Sequence, residues 1–211
     1  MKWQRIPLGP LQTNAYILSN SDKEAVIFDP GGDGRQLISI LERQQLKPQA
    51  ILLTHAHFDH IGAVDDIRDK WSIPVYVHEK EREWLGNPNL NGSSLFITGN
   101  GIVAKDADYH IKKEGQFEVG TFTFSIFHTP GHSPGSISYY VKDLEVIFSG
   151  DALFAGSIGR TDLPGGNHDQ LLASIHNKLL TLPEETIVLS GHGPETTIGA
   201  EMDHNPFLHG F

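Results

Sequence analysis

The sequence predicts a mixed α/β (α+β) fold, sheet layers with helices on their outer faces, built as one domain over residues 1–211. Three observations predict it. β-rich runs open each half of the chain and helical patterns follow them. There is no internal repeat, no low-complexity tract and no stretch that reads as a linker. The length of 211 residues suits one domain with a core large enough to need no disulfide or metal for folding.

Taken in order, residues 13–18 and Glu24–Phe28 read as antiparallel strands around the polar turn 19–23, closed by Asp29-Pro30-Gly31-Gly32. Leu37, Ile38, Leu41 and Leu46 recur at roughly helical spacing, and Pro48 is expected to end that helix. Residues 50–53 are a short, wholly apolar run, the pattern of a strand buried on both faces. A helix is predicted over 59–70, a strand over 74–77 and a short helix over 79–85. Residues 87–101, rich in Asn, Gly and Ser, read as a long loop of the functional or mobile kind. Alternation over 117–127 with a turn near Gly120 predicts a hairpin. Ile137–Val141 and 146–148 continue the strands, 171–182 reads as helix, 186–189 as a last strand, and 196–204 as a short closing helix.

Composition narrows the function. The chain has no cysteine, which excludes disulfides and thiolate metal ligands. Met1-Lys2-Trp3-Gln4-Arg5-Ile6-Pro7 lacks the apolar run of a secretory signal, and no membrane-length apolar stretch follows. A cytoplasmic location with no membrane partner is therefore expected. The formal net charge of −10 argues against a nucleic-acid backbone as partner. The count that stands out is 12 histidines.

The strongest signal is Thr54-His55-Ala56-His57-Phe58-Asp59-His60, which follows an apolar strand and precedes a helix. Where the strand end opens into a loop, His55 and His57, two residues apart, can point the same way. Asp59 and His60 start the helix and face a neighbouring point. That spacing suits two adjacent metal ions, one taking His55 and His57, the other Asp59 and His60. Imidazole and carboxylate together favour zinc, iron or manganese over calcium or magnesium. Taken singly, the histidines would read as surface residues and Asp59 as a helix cap. Four such residues within six positions after a buried strand outweigh that. His132, Asp151 and His192 each sit in a glycine-containing turn just past a β-rich run, where loops carry function.

The series His-x-His-x-Asp-His, followed by His, Asp and His in separate loops, resembles the metallo-β-lactamase superfamily, and most nearly its glyoxalase II-type hydrolases, across residues 13–194. The resemblance implies a four-layer αβ/βα sandwich with the metal site at one edge of the two sheets. It implies His55, His57 and His132 on one divalent metal, Asp59, His60 and His192 on a second, and Asp151 bridging them. Zinc is the expected metal, with iron and manganese compatible. Two divalent ions, two carboxylates and a bridging hydroxide sum to about +1, which would attract an anionic substrate. Asp59 is also expected to be catalytic, accepting a hydrogen bond from that hydroxide. Asp29 matches a family position that supports the metal loops. His128 reads as packed beside the site, and His78, His110, His168, His176, His204 and His209 as surface residues.

The expected activity is cleavage of S-acyl or hydroxyacyl glutathione, or of a similar small anionic thiol ester, with Arg160 gripping the substrate carboxylate. A guanidinium paired only with Asp162 is the plainer reading of Arg160. Two departures from the larger glyoxalase II enzymes stand out. Asp162 occupies the place of a tyrosine, and the chain continues only 19 residues past His192 without Lys or Arg. These departures leave room for an open site, or for a small thiol carrier other than glutathione. Gly159-Arg160-Thr161-Asp162 also resembles the persulfide dioxygenases, a sister group with one iron on two histidines and an aspartate; that is the alternative reading. A β-lactamase role is not expected without an export signal, nor a nuclease role with this charge. No motif specifies an oligomeric state.

Overall fold

The structure, a computed structural model, describes residues 1–209. It divides into two compact units, one of residues 1–112 with the turn 119–122, the other of residues 113–118 with 123 onward. The class is mixed α/β as predicted, with two large sheets of six strands each.

The first unit holds strands β1 (Lys2–Leu8), β2 (Thr13–Ser19), β3 (Glu24–Phe28), β4 (Lys47–Leu52), β5 (Val75–His78) and β6 (Tyr109–Ile111), in that spatial order. β1 to β3 form an antiparallel meander, and β3 to β6 run parallel. Helices α1 (Gly34–Arg43) and α3 (Val64–Trp71) bring Leu37, Leu41, Val64 and Ile67 into one core with Ile17, Ile27, Ile51 and Val75. β1 escapes sequence reading because it is an edge strand whose polar residues face outward. β6 escapes because it is three residues long with two of them exposed.

Pro48 does not end α1, which stops at Arg43 and is closed by Gln45 in the left-handed region at φ 58°. Pro48 lies inside β4 opposite Ala25, and the register slips by one residue there, as expected where a strand lacks an amide donor. The helix predicted over 59–70 is two helices, α2 (Phe58–Ile61) and α3, broken at Gly62-Ala63. The cause is the turn after β3. Ala63 N–H donates to Pro30 O at 2.8 Å, and Gly62 abuts the Gly31 carbonyl so closely that no Cβ fits. The helix predicted over 79–85 is only a 3-10 turn, Glu79–Glu81, because Glu81 points inward and is fully buried. The long loop contains a short helix, α4 (Ser93–Phe96).

The second unit holds β7 (Gly115–Val119), β8 (Phe122–His128), β9 (Ile137–Val141), β10 (Val146–Gly150), β13 (Ile187–Ser190) and β14 (Thr196–Thr197) in one sheet, plus the hairpin β11 (Leu153–Phe154) and β12 (Ser157–Ile158). The sheet order is β14-β13-β10-β9-β8-β7, with β10 and β13 parallel. Helix α5 (His168–Ser174), its π-turn continuation Ile175–Leu179, and α6 (Ile198–His204) place Leu171, Leu172, Ile175, Leu179 and Ile198 on Ile147 and Val188. α5 starts earlier than predicted because Asn167 caps it, its side chain accepting from Gln170 N–H at 2.9 Å. Among the described residues, no helix is long and apolar enough to cross a membrane.

Candidate metal centre

His55, His57, Asp59 and His60 stand together in the first unit. They follow β4 directly, so the buried strand sets where the loop emerges. The three imidazoles are buried, and the His55 ring lies 4.8 Å from His57 and 4.0 Å from His60, centroid to centroid. Asp59 Oδ2 lies 3.7 Å from His60 Nε2.

Buried hydrogen bonds set which nitrogen of the His60 and His55 rings faces outward. Asp29, at the end of β3, accepts Thr54 N–H at 2.7 Å and the Thr54 hydroxyl at 2.6 Å, and lies 3.0 Å from His60 Nδ1. The carboxylate can only accept, so His60 Nδ1 carries the proton and Nε2 presents a lone pair. The one hydrogen of the Thr54 hydroxyl goes to Asp29, so Thr54 Oγ1 accepts from His55 Nδ1 at 3.1 Å, with the same result for His55 Nε2. The Thr13 hydroxyl donates to Asp59 Oδ2 at 2.7 Å.

Glu81 holds the loop from behind. Its Oε2 accepts the N–H of Ala56, the residue between His55 and His57, at 2.6 Å. Glu81→Ala should strand that amide at a cost of about 1–3 kcal/mol. It should also loosen metal affinity by about 10- to 100-fold, as loss of groups that support metal ligands does. Urea titration and competition against a chelator measure the two effects, and Glu81→Gln should recover most of both.

His132, Asp151 and His192 stand together in the second unit. Asp151 follows β10 and His192 follows β13, neighbouring parallel strands whose ends deliver both residues to one edge. Asp151 Oδ2 lies 3.6 Å from His132 Nε2 and 3.5 Å from His192 Nε2. These separations are long for charged hydrogen bonds. They match the edge of a tetrahedron of ligands, about 3.4 Å for metal bonds of roughly 2.1 Å. A carboxylate oxygen at such distances from two imidazole nitrogens is a donor set that fits a divalent metal.

The loop after Asp151 supports it. His132 Nδ1 lies 2.8 Å from the Arg160 carbonyl, which accepts its proton and leaves Nε2 to face Asp151. Gly159 abuts the Asp151 carbonyl with no room for a Cβ. From α6, buried Glu201 accepts Gly156 N–H at 2.9 Å, and Asn205 donates to Ser157 O at 3.0 Å, pinning the β11–β12 hairpin. His128 is half-buried with Nε2 2.9 Å from Pro134 O, in the turn that carries His132. It supports the site, as its packed reading expects. His78 is not a surface residue. It is buried, and its Nδ1 accepts Lys80 N–H at 3.2 Å to start the Glu79–Glu81 turn. His110, His168, His204 and His209 are exposed and His176 is half-buried.

The Arg160 side chain is half-exposed, with Nε 2.7 Å and Nη2 2.8 Å from the two oxygens of Asp162. This fork is the plainer of the two readings of Arg160. Its hydrogen bonds hold the Asp162 carboxyl down at about 2, so the pair persists throughout the neutral range.

Thr13, Thr54, Glu81 and Glu201 are the supporting residues that sequence reasoning missed. Thr54 adjoins the motif and was open to detection. Glu81 sits in a charged run that resembles a helix surface, and only burial distinguishes it.

The metallo-beta-lactamase superfamily model matches residues 8–192, and the chain belongs to that superfamily. It is 57% identical over 211 residues to the "Probable metallo-hydrolase YqgX" of Bacillus subtilis (strain 168), covering 100% of this chain and 99% of that one. It is 37% identical over 209 residues to the "Hydroxyacylglutathione hydrolase GloC" of Haemophilus influenzae, covering 99% and 98%. Among solved structures, the BLEG-1 B3 metallo-beta-lactamase is 67% identical with a TM-score of 0.97, covering 99% of this chain and 100% of that one. TTHA1623 in a di-iron-bound form is 40% identical with a TM-score of 0.83, covering 97% and 100%.

Proposed function

We propose that the chain is a cytoplasmic thioesterase of the glyoxalase II type, in which residues 1–211 act as one domain and hold two divalent metals. His55, His57 and His132 would take one, Asp59, His60 and His192 the other, and Asp151 both. The observation that carries this reading is Asp151 Oδ2, set 3.5–3.6 Å from two imidazole nitrogens, those of His132 and His192. The name of the GloC relative supports the thioester class. When bound, a metal pair polarises the substrate carbonyl and makes water acidic enough to attack at neutral pH. The chain supplies aim. Asp29, Thr54 and the Arg160 carbonyl fix the ring tautomers, and Thr13 holds Asp59 so that its carboxylate can accept a hydrogen bond from the attacking oxygen and orient it. Neither a serine nor a cysteine nucleophile is required.

The purified chain should carry two metal equivalents and hydrolyse S-lactoylglutathione; elemental analysis beside a thioester assay tests both. Zinc is the expected metal, and the di-iron relative makes iron the competitor to measure. A single iron, with O₂ uptake on a persulfide and no thioester cleavage, would replace this reading with the dioxygenase. A second reading, β-lactam hydrolysis, is favoured by the name of BLEG-1, at 67% identity. Opening that amide needs the same water and the same carbonyl polarisation. Comparing kcat/KM on a chromogenic cephalosporin and on the thioester ranks the two.

Arg160 would serve the substrate carboxylate only by exchanging Asp162 for it. Arg160→Ala should then raise KM for an anionic thioester by roughly two- to fivefold, the scale of a screened charged contact, with kcat little changed. Asp162→Ala, which frees the fork, should lower it. Equal effects on a neutral analogue would assign the pair to loop stiffness alone.

A further inference from the structure

Phe58 lies between His57 and Asp59 in sequence, and its half-buried ring stacks on Phe96, with centroids 5.7 Å apart and planes inclined by 28°. Gly92, at φ +83°, brings the start of α4 against the same place. A Cβ built there would stand 3.9 Å from Phe58 Cδ1 and 4.0 Å from His57 Cδ2. α4 then carries Leu95 and Phe96, which are 62% and 54% exposed.

These side chains are not exposed because the loop is loose. Asn91 is fully buried; its amide donates to Ile102 O at 2.9 Å and its Oδ1 accepts Ser93 N–H at 3.0 Å. The Ser93 hydroxyl accepts Ile102 N–H at 2.9 Å, and Asn91 O accepts Phe58 N–H at 3.0 Å. A segment pinned at both ends, and to the histidine motif itself, therefore holds two large apolar side chains in solvent. Apolar surface fastened beside polar reacting groups is how small-molecule sites combine grip with chemistry.

We propose that Phe58, Leu95 and Phe96 form the seat for the acyl group of the substrate and favour an apolar alkyl or aryl chain over a small hydroxyacyl such as lactoyl. This rests on the thioesterase reading and names its substrate class. The acyl group is bonded directly to the reacting carbonyl, so it must lie within a few bonds of the metal ligands, where Phe58 is. The thiol part of a peptide-like carrier is polar and gains little from a phenyl wall.

The test is a series of thioesters of one thiol, running from acetyl through butanoyl and hexanoyl to phenylacetyl, on the metal-loaded parent chain, Phe96→Ala and Phe96→Leu. A fully buried methylene is worth about fourfold, so a half-covered one should give about twofold per carbon in kcat/KM. The parent should therefore favour hexanoyl over acetyl, four carbons longer, by about fifteenfold. Phe96→Ala should flatten that slope, and Phe96→Leu should restore it for alkyl chains but not for phenylacetyl. A flat series in a parent that cleaves acetyl thioester overturns the acyl seat and leaves the thioesterase standing. Loss of every thioester activity in the parent overturns both. An unchanged slope in Phe96→Ala, with a change in oligomeric state by light scattering, assigns the patch to self-association and overturns the proposal.

Discussion

Asp59→Ala is expected to lower kcat by about 10²- to 10⁴-fold, the span of a positioned acid or base, while the protein stays folded. The carboxylate lies 3.7 Å from His60 Nε2 and accepts the Thr13 hydroxyl. In the proposed site its loss would remove one metal ligand and the group that orients water. The fold should survive because α2 is held by other contacts, including Phe58 N–H to Asn91 O at 3.0 Å and the His60–Asp29 pair. Single-turnover kinetics with metal analysis measures it. Unchanged kcat at full metal content would reduce Asp59 to a residue of the first helical turn. Thr13→Val should act in the same direction but more weakly, since it leaves the carboxylate in place.

Gly31→Ala should be strongly damaging for so small a substitution. A Cβ on Gly31 would overlap the Asp59 carbonyl and press on Thr13 Cβ at 3.3 Å. The neighbours are backbone and a buried strand, so they cannot step aside. Overpacking of this kind costs typically 1–3 kcal/mol, and here about 3 kcal/mol is expected, with metal affinity falling as α2 is displaced. Urea unfolding and metal titration read the two consequences. Gly86→Ala is the matched control, because its added carbon would meet only Ala104 O at 3.6 Å and Asp106 Oδ1 at 3.9 Å, ordinary contact distances. Equal destabilisation by both substitutions would show that the Gly31–Asp59 contact is not the cause.

The long periodic segments read correctly where local pattern and burial agree. α1 shows its buried face as Leu37 and Leu41, and β9 and β10 are apolar runs buried throughout. Errors fall where a distant segment intervenes. The break between α2 and α3 is imposed by the Pro30-Gly31 turn, more than thirty residues back in the chain. β1 and β6 are strands because a neighbour pairs with them, not because of strong local propensity.

The sequence by itself determined the superfamily and the identities of the seven candidate ligands, because metal chemistry restricts both residue type and spacing: His, His, Asp and His within six positions, then His132, Asp151 and His192 in glycine turns. Only the tertiary structure decided how those side chains are aimed. Asp29 reaches His60 across 31 residues, Glu81 reaches Ala56 across 25, Thr13 reaches Asp59 across 46, and the Arg160 carbonyl reaches His132 across 28. It also decided that the Arg160 guanidinium is engaged by Asp162. A hydrogen bond between residues so far apart leaves no periodicity in the sequence, because its partners are brought together by the packing of strands and turns and not by their own local pattern.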